Sequence, residues 1–224
     1  MNDGTFENLK RYHGIFFSKK HQAWLRENTL DEYIFKEVRS AYKDLEIKEG
    51  DVILDLGANI GAFAKQAAEK GATVHCYEPE PNNFVLLKYN SPNTNNHKKA
   101  VVGKQDGNIK LFINSKRNKG IHMTRPVNGR ESIEVETVSF SSLVNELKPN
   151  KIKIDVEGAE YDFLPFVFPP FVKRLVMEIH FQYDPSWRKK GKNIHLNMIQ
   201  QGFTPLKEFK DTGKNWHIIG AYVR

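Results

Sequence analysis

Asp155, Glu157, Glu178 and His180 are the side chains whose types and spacing suggest proton or metal chemistry. The first two end the run Lys153-Ile154-Asp155-Val156-Glu157-Gly158, and the others lie in the run Leu175–Phe181. Both runs read as strands, and residues two apart on a strand share a face, so Glu178 and His180 point the same way. A parallel strand covered on both faces should be continuously apolar. Ionisable groups there are costly to bury unless they are paired or functional. An imidazole with a pKa near neutrality can take a proton from a hydroxyl, which makes His180 a candidate base. Alternatively, Asp155 with Glu178 or His180 could hold a divalent ion such as Mg²⁺ or Mn²⁺. The sequence offers an imidazole but no unambiguous third carboxylate, which tilts the expectation towards the metal-free form. The structural alternative is that Asp155 and Glu157 only cap a helix starting at Gly158.

A second group surrounds the segment Asp55-Leu56-Gly57-Ala58-Asn59-Ile60-Gly61. Here an acidic residue closes an apolar strand and a turn of small residues opens a helix. Gly57 permits a tight turn, and Gly61 lets the helix approach the sheet closely. Asn59 stands where a dinucleotide fingerprint has its middle glycine, and no phosphate cradle follows. A cofactor without phosphates fits such a turn better. Glu78, ending the next strand, is placed to accept hydrogen bonds from ribose hydroxyls. Asp55 could hold a cationic amino group.

The elements that must position these residues read as an alternation of strands and helices from Asp51 onward. Val52–Leu54, Thr73–Tyr77, Lys99–Val102, Ile133–Val138, Ile152–Val156 and Leu175–Phe181 read as strands. Helices are expected from Ile60 to Lys70, from Pro79 to Asn90, near Gly158 and over Asn193–Gln201, and Trp216–Val223 reads as an antiparallel ending. Asp106-Gly107 marks a tight turn between Ala100–Val102 and Ile109–Ile113. Repeated β-α units imply a mostly parallel sheet with helices on both faces. Before it, the spacing of apolar residues from Leu30 predicts an amphipathic helix capped by Asn28 or Thr29.

The chain has 224 residues, one cysteine and a formal charge of +7. No apolar run approaches the roughly 20 residues that span a bilayer. The lone Cys76 excludes an internal disulfide and fits a reducing cytoplasm, the expected location. Lys116, Arg117, Lys119, Arg125 and Arg130 fall in a stretch without acids, and Arg188, Lys189, Lys190 and Lys192 form a second basic cluster. Such patches either attract an anionic partner or are ordinary solvated loops. Tyr183 and Trp187 could stack on a ligand ring or simply pack.

Three blocks together resemble the FkbM-type methyltransferases: Val52 to Gly61, then Tyr77-Glu78-Pro79-Glu80-Pro81, then Lys153-Ile154-Asp155-Val156-Glu157-Gly158-Ala159-Glu160. The resemblance covers roughly residues 28 to 182. It implies a Rossmann-like class I methyltransferase fold with a seven-stranded sheet. It also implies S-adenosylmethionine as donor and O-methylation of a sugar, glycan or natural-product hydroxyl. By position, Asp55, Gly57, Ala58, Asn59, Gly61 and Glu78 would line the cofactor, with Asn83 and Ala100-Val101 near its ribose and adenine. Thr29, Asp31 and Glu32 resemble a polar segment that closes over it. Residues 1–46 then read as a helical extension or lid, and 47–224 as the methyltransferase domain. Phe140-Ser141 departs from the Leu-Asp common in the family, and Ser141 could cap the helix there instead.

On this reading the acceptor is a sugar or glycan, anionic if the loop 116–130 borders its opening. The runner-up is an RNA ribose or other nucleic-acid methyltransferase. It is disfavoured because Asp155-Val156-Glu157-Gly158 stands where amino-methylating enzymes carry Asn/Asp-Pro-Pro-aromatic. A non-catalytic binding module is a further rival.

Overall fold

The computed structural model describes residues 5–103, 106–114, 122–126, 128–163, 166–181, 184 and 186–224, the side chains of 12 and 13 excepted. Lys116, Arg117, Lys119 and Tyr183 lie outside the described residues. The chain begins with α1 (Phe6–His13), the hairpin β1 (Ile15–Ser18) and β2 (Ala23–Arg26), and α2 (Asp31–Ala41). Then follow β3 (Val52–Leu56), α3 (Ala62–Glu69), β4 (Thr73–Tyr77), α4 (Pro81–Asn90), β5 (Asn95–His97), β6 (Ala100–Val102) and β7 (Gly107–Phe112). The last part holds β8 (Ser132–Ser139), α5 (Phe140–Leu147), β9 (Lys151–Ile154), β10 (Arg174–His180), α6 (Trp187–Gln200), β11 (Thr204–Pro205) and β12 (His217–Val223).

The main sheet has seven strands in the order β11-β12-β10-β9-β3-β4-β5. Strands β10, β9, β3, β4 and β5 run parallel, while β12 is antiparallel to β10 and β11 to β12. Alternate residues along each strand feed two separate cores. Leu54, Leu56, Ile152, Leu175 and Ile179 pack with α5 and α6. Ile53, Val74 and Val176 pack with Phe35, Val38, Phe63 and Leu86 from α2, α3 and α4. This is the doubly wound, Rossmann-like arrangement expected of β-α units.

The polar residues of the strands collect on that second face. Asp55 is the register partner of Lys153 on β9, and Lys151, Glu178 and His180 share its side of the sheet. The expectation of continuously apolar strands fails here because α2 and the loop after it cover this face with partners. Arg26 and Asp31 form a buried two-pronged ion pair at 2.9 Å. Asn90 on α4 holds Trp24 through its backbone N–H and carbonyl at 2.7 and 3.0 Å. Leu9, Leu25 and Phe35 belong to the same core as Ile53.

Several sequence expectations shift. The first 46 residues are not wholly helical, since Ile15-Phe16-Phe17 and Ala23-Trp24-Leu25, rich in β-favouring residues, pair as a hairpin. The main sheet's fifth parallel strand is β5. β6 instead joins a small sheet of order β6-β8-β7, so Asp106-Gly107 does not link paired neighbours. The helix near Gly158 is a short 3₁₀ turn, Ala159–Asp162. Ser139, not Ser141, caps α5, and α2 begins after Leu30, its first N–H donating to the Thr29 hydroxyl at 3.2 Å. Among the described residues no helix is long and apolar enough to cross a membrane.

Candidate active site

At the carboxyl end of β3 the chain turns on Gly57, whose φ of +74° suits glycine. A Cβ there would lie 1.7 Å from the Asp155 carbonyl oxygen, so the turn is pressed against the loop leaving β9. Asp55 lies beneath this turn, fully buried. Its carboxylate accepts from Lys153 Nζ at 2.9 Å, and the same ammonium donates to the Gly57 carbonyl at 2.9 Å. Asp55 Oδ1 thus has a cationic partner within the chain, while its buried Oδ2 has no hydrogen-bond partner among the described residues. Burial lifts the Asp55 pKa against the pull of Lys153. Burial would discharge Lys153, but Asp55, Asp155 and Glu178 outweigh it and raise its pKa.

Glu78 lies at the exit of β4. Its carboxylate accepts from the backbone N–H groups of Asn59 and Glu80, both at 2.9 Å. Burial, aided by the nearby Glu80, raises its pKa to about 7 despite those donors. Asn83, buried on α4, adds a side-chain hydrogen bond to Glu78. Asn59 adopts a left-handed φ of 51°, and its buried Oδ1 has no hydrogen-bond partner among the described residues. Gly61 is packed against α4, where a Cβ would approach Ser91 Oγ to 2.7 Å.

The exits of β9 and β10 carry the second group. His180 Nδ1 lies 3.2 Å from Glu160 Oε1, which also accepts from the His180 backbone N–H at 2.8 Å. His180 Nε2 faces Glu157 Oε2 at 3.4 Å, Glu178 Oε2 at 3.7 Å and Asp155 Oδ1 at 3.9 Å. Burial pushes the imidazole towards neutrality, but Glu157, Glu160 and Asp155 overcome it and hold its pKa well above the ordinary value. The surrounding carboxylates thus favour the charged form of the imidazole. Glu157 supplies the third carboxylate that the sequence left ambiguous.

Tyr42, at the end of α2, closes the group from the other side. Its hydroxyl lies 3.0 Å from Asp155 Oδ2 and 2.9 Å from Glu178 Oε1. One phenol carries one proton, so two such contacts are best satisfied when one carboxyl is protonated. Glu178 is that group, because burial and then Asp155 push its pKa up to about 8.

Two cavities meet over these residues. One is bounded by Tyr77, Glu78, Ala100, Val101, His122 and Thr124. The other is bounded by Glu37, Tyr42, Lys153, Glu178, His180 and Trp216. Gly57, Asn59, Asp155 and Glu157 line both. Ala58 lines the second cavity only. Asp55, Gly61 and Asn83 stand behind the walls, and Thr29 and Glu32 stand apart. Thr29 Oγ1 accepts from the Asp31 N–H, and Glu32 pairs with Lys20 and Lys36 on the exposed side of α2. Trp187 is buried against Gly158, so its ring packs. Arg125 pairs with Asp162, and Arg188 with Asp211. Tyr42, Glu160 and His217 escaped the sequence reading. His217 had a topological signal only, being the register partner of His180 on β12.

Residues 55–205 match the model of the methyltransferase FkbM domain. The chain belongs to this family. It is 32% identical over 149 residues to the hexuronic acid methyltransferase AglP of Haloferax volcanii, covering 63% of this chain and 61% of that protein. It is 45% identical over 49 residues to the 31-O-demethyl-FK506 methyltransferase FkbM of Streptomyces tacrolimicus, covering 21% and 19% of the two chains. Methyltransferase 1 of Beauveria bassiana is 26% identical over 163 residues, covering 59% and 66%. The chain thus spans less than two thirds of the length of each of these relatives. The FkbM domain match contains the Gly57 turn, Glu78 and the Asp155–His180 group. Glu37, Tyr42, Trp216 and His217, which complete the second cavity, lie outside it.

Proposed function

We propose that the chain is an S-adenosylmethionine-dependent O-methyltransferase whose acceptor is a hydroxyl of a sugar or glycan. The observation that carries this reading is the meeting of two cavities at Gly57, Asn59, Asp155 and Glu157. A donor in one and an acceptor in the other would have their reacting groups side by side, and such alignment supplies much of the rate. The residues fit the donor: Asn59 Oδ1 is a buried acceptor without a hydrogen-bond partner among the described residues, as an ammonium group requires. Glu78 offers a carboxylate to ribose hydroxyls, and Ala100 with Val101 gives an apolar wall for a base. When bound, S-adenosylmethionine supplies an activated methyl group on sulfur. FkbM family membership and the similarity to a protein named for hexuronic acid methylation support a sugar acceptor.

Asp155 faces both cavities and is the residue we assign to take the acceptor proton. His180, held by Glu160, keeps a positive charge beside Asp155 and Glu157 and so steadies their negative charge. Tyr42 fixes the orientation of Asp155. A divalent ion is the second reading, favoured by one observation. Asp155, Glu178 and His180 each offer a ligand atom, all within 4.8 Å of one another. Such an ion would lower the pKa of the acceptor hydroxyl.

The test supplies methyl-labelled S-adenosylmethionine with a panel of sugars, and with RNA as a competing acceptor, in EDTA and in Mn²⁺. Label in a base-stable methyl ether on sugar is expected. Label found in RNA alone, or in a base-labile ester alone, contradicts the proposal. Turnover abolished by EDTA and restored by Mn²⁺ selects the metal reading.

A further inference from the structure

The wall of the second cavity says what kind of sugar it can take. Glu37, Asp155, Glu157 and Glu178 all line it. The cations there are already engaged, Lys153 by the buried Asp55 at 2.9 Å and His180 by the buried Glu160 at 3.2 Å. Glu37 is half-buried and has no cationic partner among the described residues. A carboxylate brought into this space meets like charges from several sides, and among the described residues lining it the only lysine or arginine is the already paired Lys153. Hydroxyl groups, by contrast, find acceptors in abundance.

The mouth has a different chemistry. Trp216 is 70% exposed and Tyr33 is 56% exposed, yet both line the cavity. Neither ring makes a hydrogen bond or ring contact among the described residues. The Trp216 backbone is nonetheless fixed, because its carbonyl accepts from the Phe181 N–H at 2.6 Å. An anchored indole with an open face beside carboxylates suits a ring that shows C–H groups on one side and hydroxyls at its rim.

We infer that Trp216 and Glu37 select an uncharged sugar ring as acceptor, Trp216 by stacking and Glu37 by accepting hydroxyl hydrogen bonds, and that hexuronates are rejected. This rests on the methyltransferase reading above and sets the acceptor apart from that of the hexuronic acid methyltransferase relative. Of the basic residues expected to draw an anionic glycan, Arg125, Arg130, Arg188, Lys189, Lys190 and Lys192 do not line this cavity, while Lys116, Arg117 and Lys119 lie outside the described residues. Glu37 and Trp216 lie outside the FkbM domain match.

The test measures binding of the methyl glycosides of glucose, galactose and rhamnose, and of the matched glucuronide and galacturonide. The whole chain is saturated with S-adenosylhomocysteine, and saturation-transfer NMR is run with and without Mn²⁺. At least one neutral glycoside should bind about tenfold more tightly than either uronide. Trp216→Ala should weaken that binding on the order of tenfold, with Trp216→Phe retaining most of it. Glu37→Gln should narrow the gap between neutral and acidic sugars. Uronide binding as tight as neutral binding, in either buffer, overturns the inference. So does neutral binding untouched by Trp216→Ala, or binding of S-adenosylhomocysteine with no sugar at all. Failure to bind S-adenosylhomocysteine overturns the methyltransferase reading itself, and this inference with it.

Discussion

Around Asp55 the buried charges are matched, whereas around His180 they are not. Asp51 pairs with Lys151 at 2.6 Å and Asp55 with Lys153 at 2.9 Å, each across neighbouring parallel strands. One strand further along the sheet, Asp155, Glu157, Glu160 and Glu178 surround a single imidazole. The matched region is a rigid floor, and its charges keep the Gly57 turn in place. The unmatched region retains the character of a site, because its carboxylates outnumber the cations beside them. Pairing on the floor and imbalance at the mouth are therefore separate properties, and substitutions can separate them.

The largest effect should come from the floor. Gly57→Ala puts a methyl group into the Asp155 carbonyl at a φ that disfavours alanine, and should cost about 3 kcal/mol or more of stability. A urea midpoint equal to that of the parent chain would show that the turn is not so tightly held. Lys153→Met leaves Asp55 buried without its cation and should cost about 3–5 kcal/mol. The double change with Asp55→Asn should recover part of that loss, and a double variant as unstable as the sum of both singles would break the pairing argument.

Changes at the mouth should damage turnover. His180→Ala should lower kcat roughly 10²–10⁴-fold. Because its carboxylate neighbours hold His180 as a cation, the part of the pH–rate profile that depends on it should fall on the alkaline side. A fall on the acid side that vanishes in His180→Ala would restore the role of neutral base.

A smaller effect attaches to Glu78, whose pKa rises from 4.5 to about 7 in the folded chain. A raised carboxyl pKa contributes stability that is present below the unfolded value and lost as pH climbs through the folded one. Melting temperature should therefore decline between about pH 4.5 and 7, by the equivalent of ~3 kcal/mol at most. Glu78→Gln should flatten that decline, and an unchanged slope would contradict the burial argument.

The floor was legible in the sequence because its signals are local. Asp55, Gly57, Asn59, Gly61 and Glu78 sit at turns whose positions follow from short strands and their exits. Even there the sequence missed Lys153 as the partner of Asp55, since register across two parallel strands is a tertiary fact. The mouth was half legible. Asp155, Glu178 and His180 stood out as polar residues in apolar runs, but Tyr42 reads as one more apolar position on an amphipathic helix. Glu37, Trp216 and His217 lie far from the motifs along the chain and reach the site only through the covering helix and the antiparallel return. The protonation of His180 was invisible for the same reason, because Glu160 and Glu157 act on it across a loop.

Titration calorimetry of S-adenosylhomocysteine into the whole chain tests the central claim most directly. The account predicts a single site in the parent chain. Glu78→Ala should weaken it about tenfold or more, equivalent to ~1.4 kcal/mol, with unchanged circular dichroism. No binding by the parent chain, or equal affinity in the folded Glu78→Ala variant, would contradict it.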